Sequence, residues 1–168
     1  MALHDALTGL PNRVLLEDRL KISLRRAPRT RQKVGACFID LDHFKNINDT
    51  YGHMAGDEVL RQISSRIKNA QRETDFIGRY GGEEIVVILP ETDLQISISI
   101  ADDIRKIIEQ EPVEFENQII KVTASIGISN LRNEHNNYPS IFAEADEALY
   151  SAKELGRNRV EFFKQLLA

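Results

Sequence analysis

Two short acidic clusters are the residues best suited to chemistry in this 168-residue chain. Phe38-Ile39-Asp40-Leu41-Asp42 ends an apolar run, and Gly81-Gly82-Glu83-Glu84 places carboxylates directly behind a pair of glycines. Along a strand, side chains at i and i+2 share a face, so Asp40 and Asp42 are expected to leave the tip on one side. Carboxylates crowded together repel unless a cation or a proton intervenes. Oxygen-only donors suit Mg²⁺, Mn²⁺ or Ca²⁺. Mg²⁺ generally takes one or two carboxylates and completes its shell with phosphate and water. Backbone without Cβ atoms at Gly81 and Gly82 would let a triphosphate come close. Either cluster alone reads first as a solvated acidic turn. Together, both at strand ends, they make a metal-phosphate site a competing reading.

Other chemistries lack their residues. There is no Walker A loop, no G-x-G-x-x-G and no G-x-S-x-G. His4, His43, His53 and His135 show no zinc spacing with Cys37. Cys37 lies inside a strand pattern and reads as a buried apolar residue. One cysteine rules out a disulfide framework and fits a reducing compartment, so a cytoplasmic location is expected. A net charge of −4 and scattered aromatics at 7% argue against a nucleic-acid partner. The longest clean apolar run, Ile85 to Leu89, is far too short for a bilayer, and no signal-peptide pattern precedes Asp5. No membrane contact is expected. At 42% hydrophobic and 29% charged residues the composition is that of a globular protein. The length suits a single domain over 1–168, with its core at about 5–163.

The elements that must position the clusters alternate. Asn12 can cap a helix to about Ala27, with Leu16, Leu20 and Leu24 on one stripe and Pro28 as its stop. Val34–Leu41 reads as a buried strand, followed by a helical turn over His43–Asp49 and a helix over Ala55–Ala70. Phe76–Tyr80 and Glu83–Leu89 form a hairpin about Gly81-Gly82. The next segment has strand-like alternation at Leu94, Ile96 and Ile98 and helical spacing at Ile100, Ile104 and Ile108. With Thr92 or Asp93 as a cap and no turn signal before Pro112, it is read as a helix. Val113–Phe115 and Ile119–Ser129 form a hairpin around Glu116-Asn117. Asn130 to Asn137 is a polar loop, Ser140–Leu155 a helix stopped by Gly156, and Val160–Phe163 a final edge strand. The order implies an α+β fold with helices mainly on one side of a mostly antiparallel sheet. It resembles a ferredoxin-like βαββαβ core with an extra helix and hairpin.

The quoted clusters sit inside longer motifs. Arg79-Tyr80-Gly81-Gly82-Glu83-Glu84-Ile85 resembles the signature of the GGDEF family, the diguanylate cyclases. So do Asp5-Ala6-Leu7-Thr8-Gly9-Leu10-Pro11-Asn12-Arg13 and Asp40-Leu41-Asp42-His43-Phe44-Lys45-Asn46-Ile47-Asn48-Asp49. Gly52-His53-Met54-Ala55-Gly56-Asp57 and Ala145-Asp146-Glu147-Ala148-Leu149-Tyr150, with Lys153, Gly156, Arg157 and Asn158, complete the family's order. Ile85 stands where the family has Phe, a tolerable apolar exchange in a strand, and Glu83 is a variant the family also uses.

The resemblance implies an enzyme that joins two GTP into cyclic di-GMP and releases pyrophosphate twice. It implies two Mg²⁺ (or Mn²⁺) per active site, held by Asp40, Glu83 and the Leu41 carbonyl, with Glu84 beside them. Glu83, Glu84 and Lys45 become the catalytic residues. Asn48 and Asp57 would read guanine, whose N1–H and N2–H suit acceptors. Lys45, Lys153, Arg157 and the backbone N–H groups of His43 and Phe44 would hold phosphates, beside Gly81 and Gly82. On their own, Lys153 and Arg157 would be cations complementing a helix end, and Asn48 and Asp57 a turn residue and a solvated residue. Arg72-Glu73-Thr74-Asp75 resembles the family's inhibitory product site, R-x-x-D. The family's second arginine is missing there: Ser99 and Asp103 hold the expected places, and only Arg105 is near.

A two-fold symmetric product implies two domains facing each other, hence a homodimer during reaction. With so little sequence before Asp5, an N-terminal sensor or dimerisation module is expected in a longer signalling protein. Two other readings compete: a non-catalytic cyclic di-GMP receptor using Arg72 and Asp75, and a Mg²⁺-dependent nucleotidyltransferase for another nucleotide.

Overall fold

A computed structural model describes residues 2–30, 33–131 and 138–164. In chain order the elements are α1 (Arg13–Thr30), β1 (Val34–Leu41), α2 (Phe44–Tyr51), α3 (His53–Ala70), β2 (Phe76–Gly81) and β3 (Glu84–Pro90). They continue as α4 (Leu94–Gln110), β4 (Val113–Phe115), β5 (Gln118–Ile120), β6 (Ala124–Asn130), α5 (Tyr138–Glu154) and β7 (Arg159–Phe162). The main sheet has the order β2-β3-β1-β6-β7. Every pairing in it is antiparallel except β6 with β7. Strands β1, β2, β3 and β6 with α3 and α4 make the ferredoxin-like core. Helices α1, α2 and α5, the β4-β5 hairpin and β7 are added to it.

Helices cover both faces of the sheet, not mainly one. Leu16, Leu20 and Leu24 of α1 and Ile141, Phe142, Ala145 and Leu149 of α5 pack on Ala36, Phe38, Val86 and Ile88. Val59, Ile63 and Ile67 of α3 and Ala101, Ile104 and Ile108 of α4 pack on Cys37, Ile39, Ile85, Val87 and Leu89. Alternate residues of β1 and β3 therefore enter opposite cores, and β1 is buried along its whole length. The unbroken apolar run Ile85–Leu89 is the sequence signature of such two-sided burial, since a half-exposed strand would alternate. Cys37 is fully buried, and burial, with the charge of Asp75 adding, pushes its thiol up to about 12.

Three other expectations shift. Helix α1 continues past Pro28 to Thr30, because proline removes one backbone donor without forbidding helical φ. The stretch Ile119–Ser129 is not one strand. The β4-β5 hairpin closes on itself through left-handed Glu116 and Asn117, and the chain then crosses to β6 in the main sheet. The glycine hairpin is as expected, except that Glu83 lies in its turn and β3 starts at Glu84. The ambiguous segment is helix α4, capped by Asp93, whose side chain accepts from the Ile96 N–H at 2.9 Å. The polar loop read over Asn130–Asn137 lies mostly outside the described residues, as does His135.

Candidate active site

Register brings the two acidic clusters together. Asp40 of β1 pairs with Glu84 of β3 on one side and with Ser125 of β6 on the other, and Ser125 pairs with Arg159 of β7. Helix α5 lies directly on β6, because a Cβ on Gly127 would sit 2.3 Å from the Ala145 carbonyl oxygen and 2.2 Å from the Leu149 nitrogen. That approach carries Lys153 to the tip of β1, where its Nζ donates to Asp40 Oδ2 at 2.7 Å. Asp40 is 6% exposed. Burial pushes its carboxyl up, the charges of Glu83 and Asp42 push the same way, and Lys153 offsets them only in part. Glu84 is also pushed up, by burial first and then by Asp40 and Asp146, with Glu83 adding to them.

A carboxyl whose folded-state pKa is raised stabilises the fold below its ordinary pKa, and that stability is lost as pH rises through the raised value. Glu84→Gln should therefore raise Tm at neutral pH, a gain that shrinks as the pH falls and vanishes near pH 4. Melting curves at the two pH values check it.

The glycine turn is braced from below. Arg79 Nε and Nη2 donate to the Gly82 carbonyl at 3.0 and 2.8 Å, while its Nη1 reaches both oxygens of Asp5 at 3.1 Å. Asp5 also accepts from the Thr8 N–H and hydroxyl. Burial raises the Asp5 carboxyl, but the Thr8 bonds and Arg79 outweigh it and hold it below its usual value. Sequence reasoning assigned Asp5 and Arg79 no role. The available signal was an acid and a base in two motifs flanking the site, 74 residues apart.

A hard divalent cation fits this donor set. Asp40, Glu83 and the Leu41 carbonyl offer only oxygen, and burial holds the Asp40 carboxyl up, with the neighbouring charges of Glu83 and Asp42 adding to it, a crowding that a bound cation would relieve. Among the described residues no three acidic, histidine or cysteine side chains already form a cage. Mg²⁺ needs none when phosphate and water supply most of its shell.

Asp42 does different work. Its carboxylate accepts from Thr123 Oγ1 at 2.7 Å, Ser125 Oγ at 2.6 Å and the Asn158 N–H at 3.0 Å. It ties the tip of β1 to β6 and to the turn after α5.

Left-handed His43, φ 54°, turns the chain from that tip into α2, so the N-terminus of α2 with Phe44 and Lys45 abuts the acidic end. Backbone N–H groups at such a terminus suit an anion. Asn48 on α2 meets α3 at Gly56, where an added Cβ would fall 1.8 Å from Asn48 Oδ1. Gly56 thus seats the Asn48 amide one residue from exposed Asp57. Lys45 and Arg157 are also exposed.

Arg72 and Asp75 pair with each other away from the acidic end. Arg72 forks onto Asp75 through Nε and Nη2 at 3.0 and 2.7 Å and reaches Thr92 Oγ1 at 2.7 Å. The Asp75 side chain is 1% exposed against 45% for Arg72, so Asp75 orients the arginine and is not itself an open acceptor. A groove of ≈ 380 Å³ beside them is lined by Ile100, Asp103, Lys106 and Ile107 of α4. Arg105 is not the cation of this groove, since it bonds Asn158 on the other side of α4. Ser99 likewise lines the α4-β7 side.

Residues 2–159 match the family described as "Diguanylate cyclase, GGDEF domain". The chain is 41% identical over 160 residues to diguanylate cyclase DgcP of Pseudomonas aeruginosa, covering 95% of this chain and 24% of that protein. It is 42% identical over 162 residues to the response regulator PleD of Caulobacter vibrioides, covering 95% and 36%. Among solved structures, the GGDEF domain of DgcB from Caulobacter crescentus in complex with c-di-GMP superposes with TM-score 0.93 at 32% identity, covering 98% and 94%. The active GGEEF domain of a diguanylate cyclase from Vibrio cholerae gives 0.85 at 34%, covering 90% and 96%. The chain belongs to the GGDEF diguanylate cyclase family. It spans about a quarter to a third of the length of the two curated relatives named, at 24% and 36%. Among the described residues, no helix is long and apolar enough to cross a membrane.

Proposed function

We propose that this domain condenses two GTP molecules into cyclic di-GMP and two pyrophosphates, in the cytoplasm, as a homodimer in which each copy presents its GTP to the other. The observation that supports this most is the pairing of Asp40 with Glu84 at one sheet end, beside Glu83, with Lys153 as the nearby compensating cation. Asp40, Glu83 and the Leu41 carbonyl would hold Mg²⁺ or Mn²⁺, two ions per site, which when bound stabilise the entering and leaving oxygens of an in-line displacement. Lys45, Lys153, Arg157 and the N–H groups of His43 and Phe44 hold the phosphates, with the open Gly81-Gly82 turn alongside. Asn48 and Asp57 accept from the guanine edge. In each half-reaction a 3′-oxygen bonds the α-phosphorus and the bond to the bridging oxygen breaks. Pyrophosphate leaves with that electron pair, and Glu83 assists removal of the 3′-proton, with Glu84 beside it.

Gly56→Ala should displace the Asn48 amide and raise KM for GTP by about tenfold, the cost of one well-placed hydrogen bond to a substrate group. Steady-state kinetics with GTP and ATP checks it, with the GTP preference falling in parallel.

A second reading, binding of cyclic di-GMP without turnover, is favoured by the ordered Arg72 fork over its groove. Chromatography of products from GTP and Mg²⁺ separates the two. The cyclase reading expects the dinucleotide, with specific activity rising with protein concentration as dimers form. Tight cyclic di-GMP binding with no dinucleotide made would leave only the receptor. The dimer and an N-terminal sensor module stand as parts of this proposal.

A further inference from the structure

We propose that Arg105, on α4, is a positioning residue for the GTP phosphates: it fixes the turn after α5 that carries Arg157. This rests on the reading of Arg157 as a phosphate ligand.

The turn needs fixing. After Gly156, φ 123°, two successive non-glycine residues are left-handed, Arg157 at φ 64° and Asn158 at φ 45°. Such residues persist where their surroundings over-determine them. On the helix side the Arg157 N–H donates to the Ala152 carbonyl at 3.0 Å. On the sheet side the Asn158 N–H donates to Asp42 Oδ2 at 3.0 Å. The third restraint comes from α4. Arg105 Nη1 donates to Asn158 Oδ1 at 3.1 Å, and Asn158 Nδ2 donates to Glu109.

Arg105 is built for this task. Its Nε donates to Asp102 Oδ1 at 2.9 Å and its Nη1 to Glu109 Oε2 at 3.2 Å, which fixes the guanidinium plane from both sides along the helix. The Arg105 bond, with Lys106 adding, outweighs burial and holds the Asp102 carboxyl below its usual value. An i,i+3 or i,i+4 surface pair alone would contribute little. Arg105 differs in that its side chain is only 17% exposed and its further partner lies 53 residues away. It has no direct bond to Asp40, Glu83 or Lys153, so its influence on substrate runs through Asn158 to Arg157. A lysine offers one ammonium in place of the planar fork and can reproduce only part of the arrangement.

The test is calorimetric binding of 3′-deoxyguanosine triphosphate with Mg²⁺ to the full chain; this analogue lacks the attacking hydroxyl and cannot react. Arg105→Gln should weaken binding about five- to tenfold, and Arg105→Lys should recover part of the loss. In an Arg157→Ala background the Arg105→Gln loss should shrink to less than about twofold, while in an Asn48→Ala background, on the guanine side, it should persist in full. Unchanged affinity in Arg105→Gln, with Arg157→Ala weak, overturns this inference and leaves the phosphate reading standing. An equal Arg105→Gln loss in the Arg157→Ala background also overturns it, as general damage to the fold. Unchanged affinity in Arg157→Ala overturns the phosphate reading and this inference with it.

Discussion

Asp40→Asn should lower the initial rate of cyclic di-GMP formation by about 10³-fold, the loss expected when a charged group that stabilises a transition state is neutralised in a dry site. The same change should leave Tm within about 3 °C of the parent, or above it. Asparagine keeps the shape and can still accept from Lys153. It also removes a buried charge that crowds Glu84 and Glu83. A collapse in rate without a collapse in fold separates the chemistry of this position from its packing. Initial rates and melting curves on one preparation measure both. A rate within tenfold of the parent would remove Asp40 from the metal site.

Asp42→Ala, two positions on, should show the opposite profile. The carboxylate satisfies donors from Thr123, Ser125 and Asn158. Truncation leaves all of them without their acceptor, at a cost of about 3 kcal/mol, or roughly 6–12 °C in Tm. Asp42→Asn, which keeps an acceptor oxygen, should recover much of that. Thermal unfolding followed by circular dichroism decides it. A stable but inactive Asp42→Ala variant would make Asp42 a metal ligand and not a structural tie.

The contrast between these aspartates shows what the sequence could and could not carry. Local signals were legible: a cap of α4 at Thr92 or Asp93, of which the structure uses Asp93, Gly156 after α5, and the Glu116-Asn117 turn, which is left-handed. A cap at its start and no turn signal before Pro112 decided α4 against its competing alternation, and at 17 residues the segment is indeed too long for a typical strand. Two-sided burial was also present in Ile85–Leu89, yet α1 and α5 were not assigned the second face. The roles of Asp42 and Arg105 were not legible, since their deciding partners lie 53 to 116 residues away. Sequence spacing reports neighbours along one element, and these bonds exist only after five strands are in register. Gly56 stood inside a motif, but its reason, the Asn48 amide in its place, needs the packing of α2 on α3.

The most direct test of the central claim is anomalous diffraction from crystals soaked with Mn²⁺ and 3′-deoxyguanosine triphosphate. The expected result is Mn²⁺ bonded at about 2.0–2.3 Å to oxygens of Asp40, Glu83 and the nucleotide's phosphates, with Lys153 drawn from Asp40 toward phosphate. Nucleotide density with no metal peak between those carboxylates, and Lys153 still on Asp40, would contradict it.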